Sequence, residues 1–252
     1  MRVVVTRPEH EARQWVGRLR ARGIDALALP LIGIGPAPDA GALQAAWSRL
    51  GEFSAVMFVS ANAVRGFFGA RPAGCAFVPR AWAPGPGTRD ALLEAQVPAR
   101  RIDVPADDAP QFDSEALWRQ VEGQVGRGQR YLIVRGGSGG GEGRGRDWLA
   151  GRLAAAGAQA ETVVAYVRSA PAWGEDQRRQ AREAAVGATW LFSSSEAIAN
   201  LSALLPAQGF DGARAVATHP RIAQAARDAG FRHVRECRPD YASVVAALES
   251  AA

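Results

Sequence analysis

Two stretches place hydroxyl side chains where an apolar run gives way to a helical pattern: FVSANAVRGFF at 58–68 and FSSSEAIANL at 192–201. Ser60 and Asn62 in the first, and Ser193, Ser194 and Ser195 in the second, can donate hydrogen bonds to an anion. The backbone favours the same use. Where a parallel strand meets a helix, N–H groups stand unpaired at the positive end of the helix dipole. The same residue types are good helix N-caps, and that alternative stays open. Further corners of this kind follow other apolar runs. In Thr6-Arg7-Pro8, Thr6 can cap, Pro8 can occupy the first helical turn, and Arg7 can pair with a carboxylate in two-point fashion. Gly85-Pro86-Gly87-Thr88 also fits a purely structural tight turn, and Thr218-His219-Pro220-Arg221-Ile222 occupies the equivalent place later in the chain. The segment RGGSGGGEGRGR, 135–146, carries Arg135, Gly136, Arg144 and Arg146. It lacks the Gly-Lys-Ser/Thr ending of a P-loop and holds no GxGxxG pattern, so it reads as a loop whose arginines can close on a ligand.

Composition narrows the chemistry. All 30 basic residues are arginine, and the net charge of +5 suits an anionic ligand, although codon bias alone also accounts for the missing lysine. The arginines form no basic block interleaved with aromatics, which speaks against a nucleic-acid partner. Cys75 and Cys237 are too few and too far apart for a disulfide scaffold, and with His10, His219 and His233 they make no metal spacing. No run of about 18 apolar residues occurs, and the start MRVVVTRPEH has no signal-peptide pattern, so the expected setting is cytoplasmic, away from membranes. Asp107-Asp108 and the helical acids read as solvated charges.

The elements that must position these corners repeat. Arg18 and Arg152, Leu19 and Leu153, Gly23 and Gly157, Phe58 and Phe192, Ser60 and Ser194, Ala83 and Ala217, and Pro86 and Pro220 each lie 134 positions apart. A constant offset over most of the chain points to an ancient duplication. In each copy short apolar strands alternate with amphipathic helices. The first copy has strands near 3–5, 26–34, 55–59, 77–83 and 101–104, and its helices include one near 112–124. The fold class is therefore α/β, with two similar doubly wound parallel-sheet domains. Two partitions are open. Either the halves 1–125 and 126–252 fold in sequence, or 39–165 is inserted into a domain made of 1–34 and 172–252, with 35–38 and 166–171 as linkers.

VVVTRP, LRARGIDALALPLIGI, FVSANAVRGFF, the Gly-Pro-Gly-Thr turn at 85–88, DSEAL at 113–117, YLIVRG at 131–136, AAGAQAETVVAYVRSAP and the late AARDAGF together resemble the uroporphyrinogen-III synthase family, across nearly the whole chain. The resemblance implies two α/β domains joined by a two-stranded linker with a cleft between them, and it favours the inserted-domain partition. It implies a cofactor-free, metal-free, monomeric enzyme that cyclises hydroxymethylbilane, a linear tetrapyrrole with eight carboxylates, losing water and inverting ring D. On that basis Tyr166 is the catalytic candidate, a phenol able to donate to the departing hydroxyl. Thr6, Arg7, Ser60, Asn62, Gly85, Thr88, Arg135, Gly136, Ser193, Ser194, Thr218 and Arg221 are the substrate-binding candidates. The long 135–146 segment and the Thr218–Ile222 turn depart from the family pattern, so a non-catalytic two-lobed module binding an anionic ligand is the alternative. A nucleotide-dependent enzyme lacks a phosphate-gripping lysine here.

Overall fold

The structure, a computed structural model, describes residues 2–106, 109, 111–138 and 144–250. In chain order its elements are β1 (Arg2–Val5), α1 (Glu9–Arg20), β2 (Asp25–Ala28), β3 (Gly33–Gly35), α2 (Ala40–Ser48), β4 (Phe53–Phe58), α3 (Ala61–Gly69), β5 (Arg80–Trp82), α4 (Pro86–Glu94), β6 (Ile102–Asp103) and α5 (Ser114–Val121). They continue with β7 (Arg130–Ser138), α6 (Arg144–Ala155), β8 (Gln159–Ser169), α7 (Glu175–Glu183), β9 (Thr189–Phe192), α8 (Ser195–Leu204), β10 (Arg214–Ala217), α9 (Pro220–Asp228), β11 (His233–Glu236) and α10 (Tyr241–Glu249). None of the helices among the described residues is long and apolar enough to cross a membrane.

The alternation read from the sequence is present, with four local differences. The segment 135–146, read as a loop, gives residues 135–138 to β7, and α6 already begins at Arg144. The run 26–34 is broken into β2 and β3, because Pro30 has no N–H to give the ladder. Strand β5 starts only at Arg80, immediately after Pro79, for the same reason. The helix near 112–124 is α5 followed by a single 3₁₀ turn at Glu122–Gln124, where Gly123 interrupts the helical run.

The chain divides into two compact units, Met1–Gly33 with Ser169–Ala252, and Ile34–Arg168. The first holds a parallel sheet in the order β11-β10-β9-β1-β2. The second holds β3-β8-β7-β4-β5-β6, parallel from β8 to β6. The winding direction reverses between β1 and β9 in one sheet and between β7 and β4 in the other. The duplication explains this likeness. Helices α4 and α9 have the same length and lie at the same offset as the sequence identities, and β4–β6 correspond to β9–β11. The copies are exchanged between units: β1 and β2 from the first copy pair with β9–β11 from the second, while β7 and β8 pair with β4–β6.

Burial on both faces explains why the strands read as continuous apolar runs. Val4 of β1 faces a core with Trp190, Phe192, Ile198 and Ile222, whereas Val3 and Val5 face Ala12, Leu19, Val244 and Leu248. In the second unit, Val56 and Phe58 pack with Trp47 and Phe67, and Ala55 and Met57 pack with Leu117, Trp82 and Leu153. Each fully buried side chain of this size contributes roughly 1.5–3 kcal/mol relative to exposure.

One close approach holds α3 against β8. A Cβ built on Gly66 would lie 2.2 Å from the Ala165 carbonyl oxygen, while one on Gly69 meets nothing within 4 Å. We expect Gly66→Ala to lose about 1–3 kcal/mol of stability, and Gly69→Ala to shift it by less than about 1 kcal/mol, both read from urea midpoints. A charged tie joins α2, β7 and β8: Glu161 accepts from Arg49 Nη2 at 2.8 Å and from Arg130. Hydrogen bonds from Arg49, then Arg130, hold its carboxyl below the ordinary value of 4.5. A depressed carboxylate stabilises above its unfolded pKa and loses that contribution as pH falls through the folded one. The urea-midpoint gap between wild type and Glu161→Gln should therefore be full at neutral pH and shrink as pH falls below about 4.5. A gap that is independent of pH would refute the tie.

Candidate functional site

Strand β8 carries an irregularity that aims its most interesting side chain. Its register against β7 runs Arg135↔Val164 and then Gly136↔Tyr166, leaving Ala165 as the extra residue of a bulge. Bulges redirect the side chains that follow them, and here glycine makes room for the result. A Cβ on Gly136 would lie 2.4 Å from Tyr166 Cζ, so the phenol ring lies directly over the Gly136 backbone. Tyr166 is 2% exposed. Its hydroxyl lies 3.1 Å from Ser60 Oγ, where either oxygen can donate, and accepts from Arg168 Nη2 at 3.2 Å. The Arg168 guanidinium stands 5.8 Å from the Tyr166 ring centroid.

Ser60 owes its place to β4 and α3. It is the N-cap of α3, and its Oγ accepts from the Ala63 N–H at 3.2 Å. The cap and the phenol contact thus coexist in one side chain. In the same first turn, Asn62 Oδ1 accepts from Arg65 Nη1 at 3.4 Å. The next corner belongs to α4. Gly85 is its N-cap, where a Cβ would come within 3.0 Å of Phe112 Cβ, and Thr88 is buried with its N–H on the Gly85 carbonyl. Arg89 and Arg135 each bury an Nε without a hydrogen-bond partner. Residues 139–143 and the side chains of Arg144 and Arg146 lie outside the described residues, as do Asp107 and Asp108.

The first unit has a corresponding edge. Thr6 is 1% exposed and donates from Oγ1 to the Leu191 carbonyl at 2.7 Å, tying the end of β1 to β9 across the reversal point. It does not cap α1: Pro8 occupies the N-cap position, and its carbonyl takes the Ala12 N–H. Arg7 stacks 4.6 Å from the Trp15 ring and pairs with Glu11 at 3.4 Å. Burial lowers its pKa, Glu11 offsets part of that, and its Nε is buried without a partner. After β9, Ser193 is half-buried, Ser194 caps α8 through the Glu196 N–H at 3.2 Å, and Ser195 Oγ is buried without a partner. After β10, Thr218 is 9% exposed, and His219 caps α9 by accepting the Arg221 N–H at Nδ1, 3.1 Å. That contact leaves the ring proton of neutral His219 on Nε2, and the Arg221 residue is exposed. Burial, with Asp240 nearby, pushes the Cys237 thiol up to about 11, so it is no nucleophile at neutral pH.

Within the second unit the structure brings together Ser60, Gly136 and Tyr166, and the corner residues Asn62, Gly85 and Thr88 line the carboxyl edge of the same sheet. Thr6, Arg7, Ser193, Ser194, Thr218 and Arg221 belong to the edge of the other sheet. The sequence reading missed Arg168. Its signal was the spacing of AYVRS, since residues two apart on a strand share a face. Buried donors without a hydrogen-bond partner occur at these edges, Arg7 Nε and Ser195 Oγ in one unit and Arg135 Nε in the other, and also away from them, as at Trp82, Trp118 and Arg130. Buried donors without partners are costly, and an anion satisfies them. Among the described residues no group of three or more His, Cys, Asp or Glu could hold a metal ion.

Two doubly wound parallel sheets, each with hydroxyl and arginine side chains near the carboxyl ends flanking its reversal point, define a two-unit doubly wound α/β protein. The chain belongs to the uroporphyrinogen-III synthase family, enzymes of tetrapyrrole and haem synthesis: the family model described as uroporphyrinogen-III synthase HemD matches residues 13–246. Among solved structures it is similar to the uroporphyrinogen-III synthetase of Helicobacter pylori, with 15% identity, full coverage of both chains and a TM-score of 0.59. It is also similar to a mutant uroporphyrinogen III synthase of Thermus thermophilus, with 16% identity, coverage of 100% of this chain and 98% of that one, and a TM-score of 0.55. At these identities the structural likeness is one of fold.

Because Gly136 hosts the Tyr166 ring, Gly136→Ala should displace the phenol. We expect the rate of type III uroporphyrinogen formation to fall by about 10–100-fold in protein that still folds, with a stability loss of about 1–3 kcal/mol read from urea midpoints. Unchanged activity would show that the ring position is immaterial.

Proposed function

We propose that this chain is itself a uroporphyrinogen-III synthase, closing hydroxymethylbilane into uroporphyrinogen III with loss of water and inversion of ring D, and that it needs no cofactor. The reaction asks mainly for geometry. The bilane closes spontaneously without inversion, so the protein must hold it in the conformation in which the substituted carbon of ring D is attacked. The observation that carries this reading is the Tyr166 phenol held between Ser60 and Arg168 at the carboxyl edge of its sheet.

In the second unit, Arg135 and the first-turn donors of α3 grip substrate carboxylates beside Tyr166. Tyr166 gives its proton to the departing hydroxyl. The carbon–oxygen bond breaks, water leaves, and an azafulvene cation remains, which ring D attacks through a spirocyclic intermediate. The pyrrole proton released on ring closure returns to the phenolate, so the protein ends the cycle unchanged. A positioned phenol can serve as the proton donor.

The test gives purified protein freshly generated hydroxymethylbilane, oxidises the products, and resolves type I from type III uroporphyrin against a protein-free control. Type III should predominate. Only type I, at the spontaneous rate and from folded protein, would overturn the reading and leave a two-lobed module that binds an anionic ligand. In the active enzyme, Tyr166→Phe should slow turnover by about 10–100-fold without abolishing it. Full activity of that variant at saturating and limiting substrate would remove Tyr166 from the mechanism.

A further inference from the structure

Resting on the function proposed above, we propose that Arg168 is a positioning residue for the reaction, acting through Tyr166: it directs the phenol proton outward and holds the phenolate left when that proton is transferred. A guanidinium can only donate, so the 3.2 Å contact from Arg168 Nη2 makes Tyr166 Oη the acceptor on that side. The phenol proton must point elsewhere. Ser60 Oγ, 3.1 Å away, already accepts the Ala63 N–H and has its own proton to place. When Ser60 donates to Tyr166 Oη, the phenol oxygen accepts from both neighbours and its proton is directed to a third partner, the hydroxyl of the bilane.

Proton transfer then changes what Arg168 faces. Before it, the guanidinium donates to a neutral phenol; afterwards it donates to a phenolate, a charge-assisted bond that is shorter and stronger. Tyr166 is 2% exposed, so water does little to screen that charge. The gain arises only as the reaction proceeds, and an interaction of that kind raises kcat without changing KM. The position of Arg168 follows from the strand, two residues beyond Tyr166 on the same face of β8 and past the bulge that turns both.

The experiment measures kcat and KM for type III formation in wild type, Arg168→Met, Arg168→Lys, Tyr166→Phe and the double variant Arg168→Met with Tyr166→Phe. Circular dichroism and a thermal melt confirm that each is folded. Arg168→Met should lower kcat about tenfold, the scale of one charge-assisted hydrogen bond, with KM unchanged. Arg168→Lys, which keeps a charge and a donor, should recover part of the loss. In the Tyr166→Phe background, Arg168→Met should have almost no further effect. A raised KM with unchanged kcat would mean that Arg168 merely binds a substrate carboxylate, and would overturn the proposal. The full tenfold loss persisting without the phenol, or no loss in any background, would also overturn it. Absence of type III product from the wild type would overturn the function reading, and this proposal with it. Should Arg168→Met fail to fold, Arg168→Gln takes its place in the cycle, since it removes the charge but keeps an N–H donor.

Discussion

Strand β1 sits between β2 and β9, and the first unit is built around that placement. Its ladder to β9 runs Val3↔Thr189, Val4↔Trp190 and Val5↔Leu191, joining segments from opposite ends of the chain. The Thr6 hydroxyl closes the ladder on the Leu191 carbonyl, a partner 185 residues away. Because the chain passes from β1 to β2 on one side while β9, β10 and β11 run out on the other, the winding reverses there, and the corners after β1 and β9 open next to each other. Arg7 and Ser194 stand at those two corners for that reason. The equivalent reversal in the second unit, between β7 and β4, sets Arg135, still within β7, beside the corner at Ser60. One pairing choice, made once per sheet, therefore decides where these hydroxyl and arginine side chains collect.

The second unit adds a device that its counterpart lacks. The β8 bulge, Gly136 beneath the phenol, and Gly66 against Ala165 are three aspects of one fit. Each glycine gives up side-chain packing and conformational restriction so that another group can approach its backbone. Together they bring the Tyr166 ring to the level of the α3 N-terminus, where Ser60 already serves as a cap. Arginine charge goes to different partners in this unit. Arg130 and Arg49 commit theirs to Glu161 within the fold, whereas Arg168 directs its donor at the phenol.

Most candidate residues were visible before any tertiary structure, because a strand-to-helix corner has a local signature. Hydroxyls after an apolar run marked the caps of α3 and α8, and the Gly-Pro and His-Pro turns marked the corners that open α4 and α9. What each side chain does was less legible. Thr6 read as a cap or a ligand contact, yet its hydroxyl is consumed by a carbonyl in β9, a neighbour no local pattern names. Arg168 passed unnoticed although the AYVRS spacing puts it on the face of Tyr166. Only the bulge and the closeness of Ser60 make that face matter.

The order of strands and helices, their continuous apolar character and the internal repeat are properties of the sequence alone, because burial on both faces and amphipathic spacing leave periodic marks in the residues themselves. Which strands become neighbours is not such a property. By apolar pattern β1 suits β4 as well as β9, and β7 suits β9 as well as β4, since all are fully buried parallel strands of copied sequence. Tertiary structure chose the exchanged pairing, in which the first sheet takes two strands from the first copy and three from the second, and the second sheet takes four from the first copy and two from the second. That choice depends on long-range packing and on where the chain crosses between units, so it placed Tyr166, Ser60 and Arg168 together without leaving a trace in any local stretch.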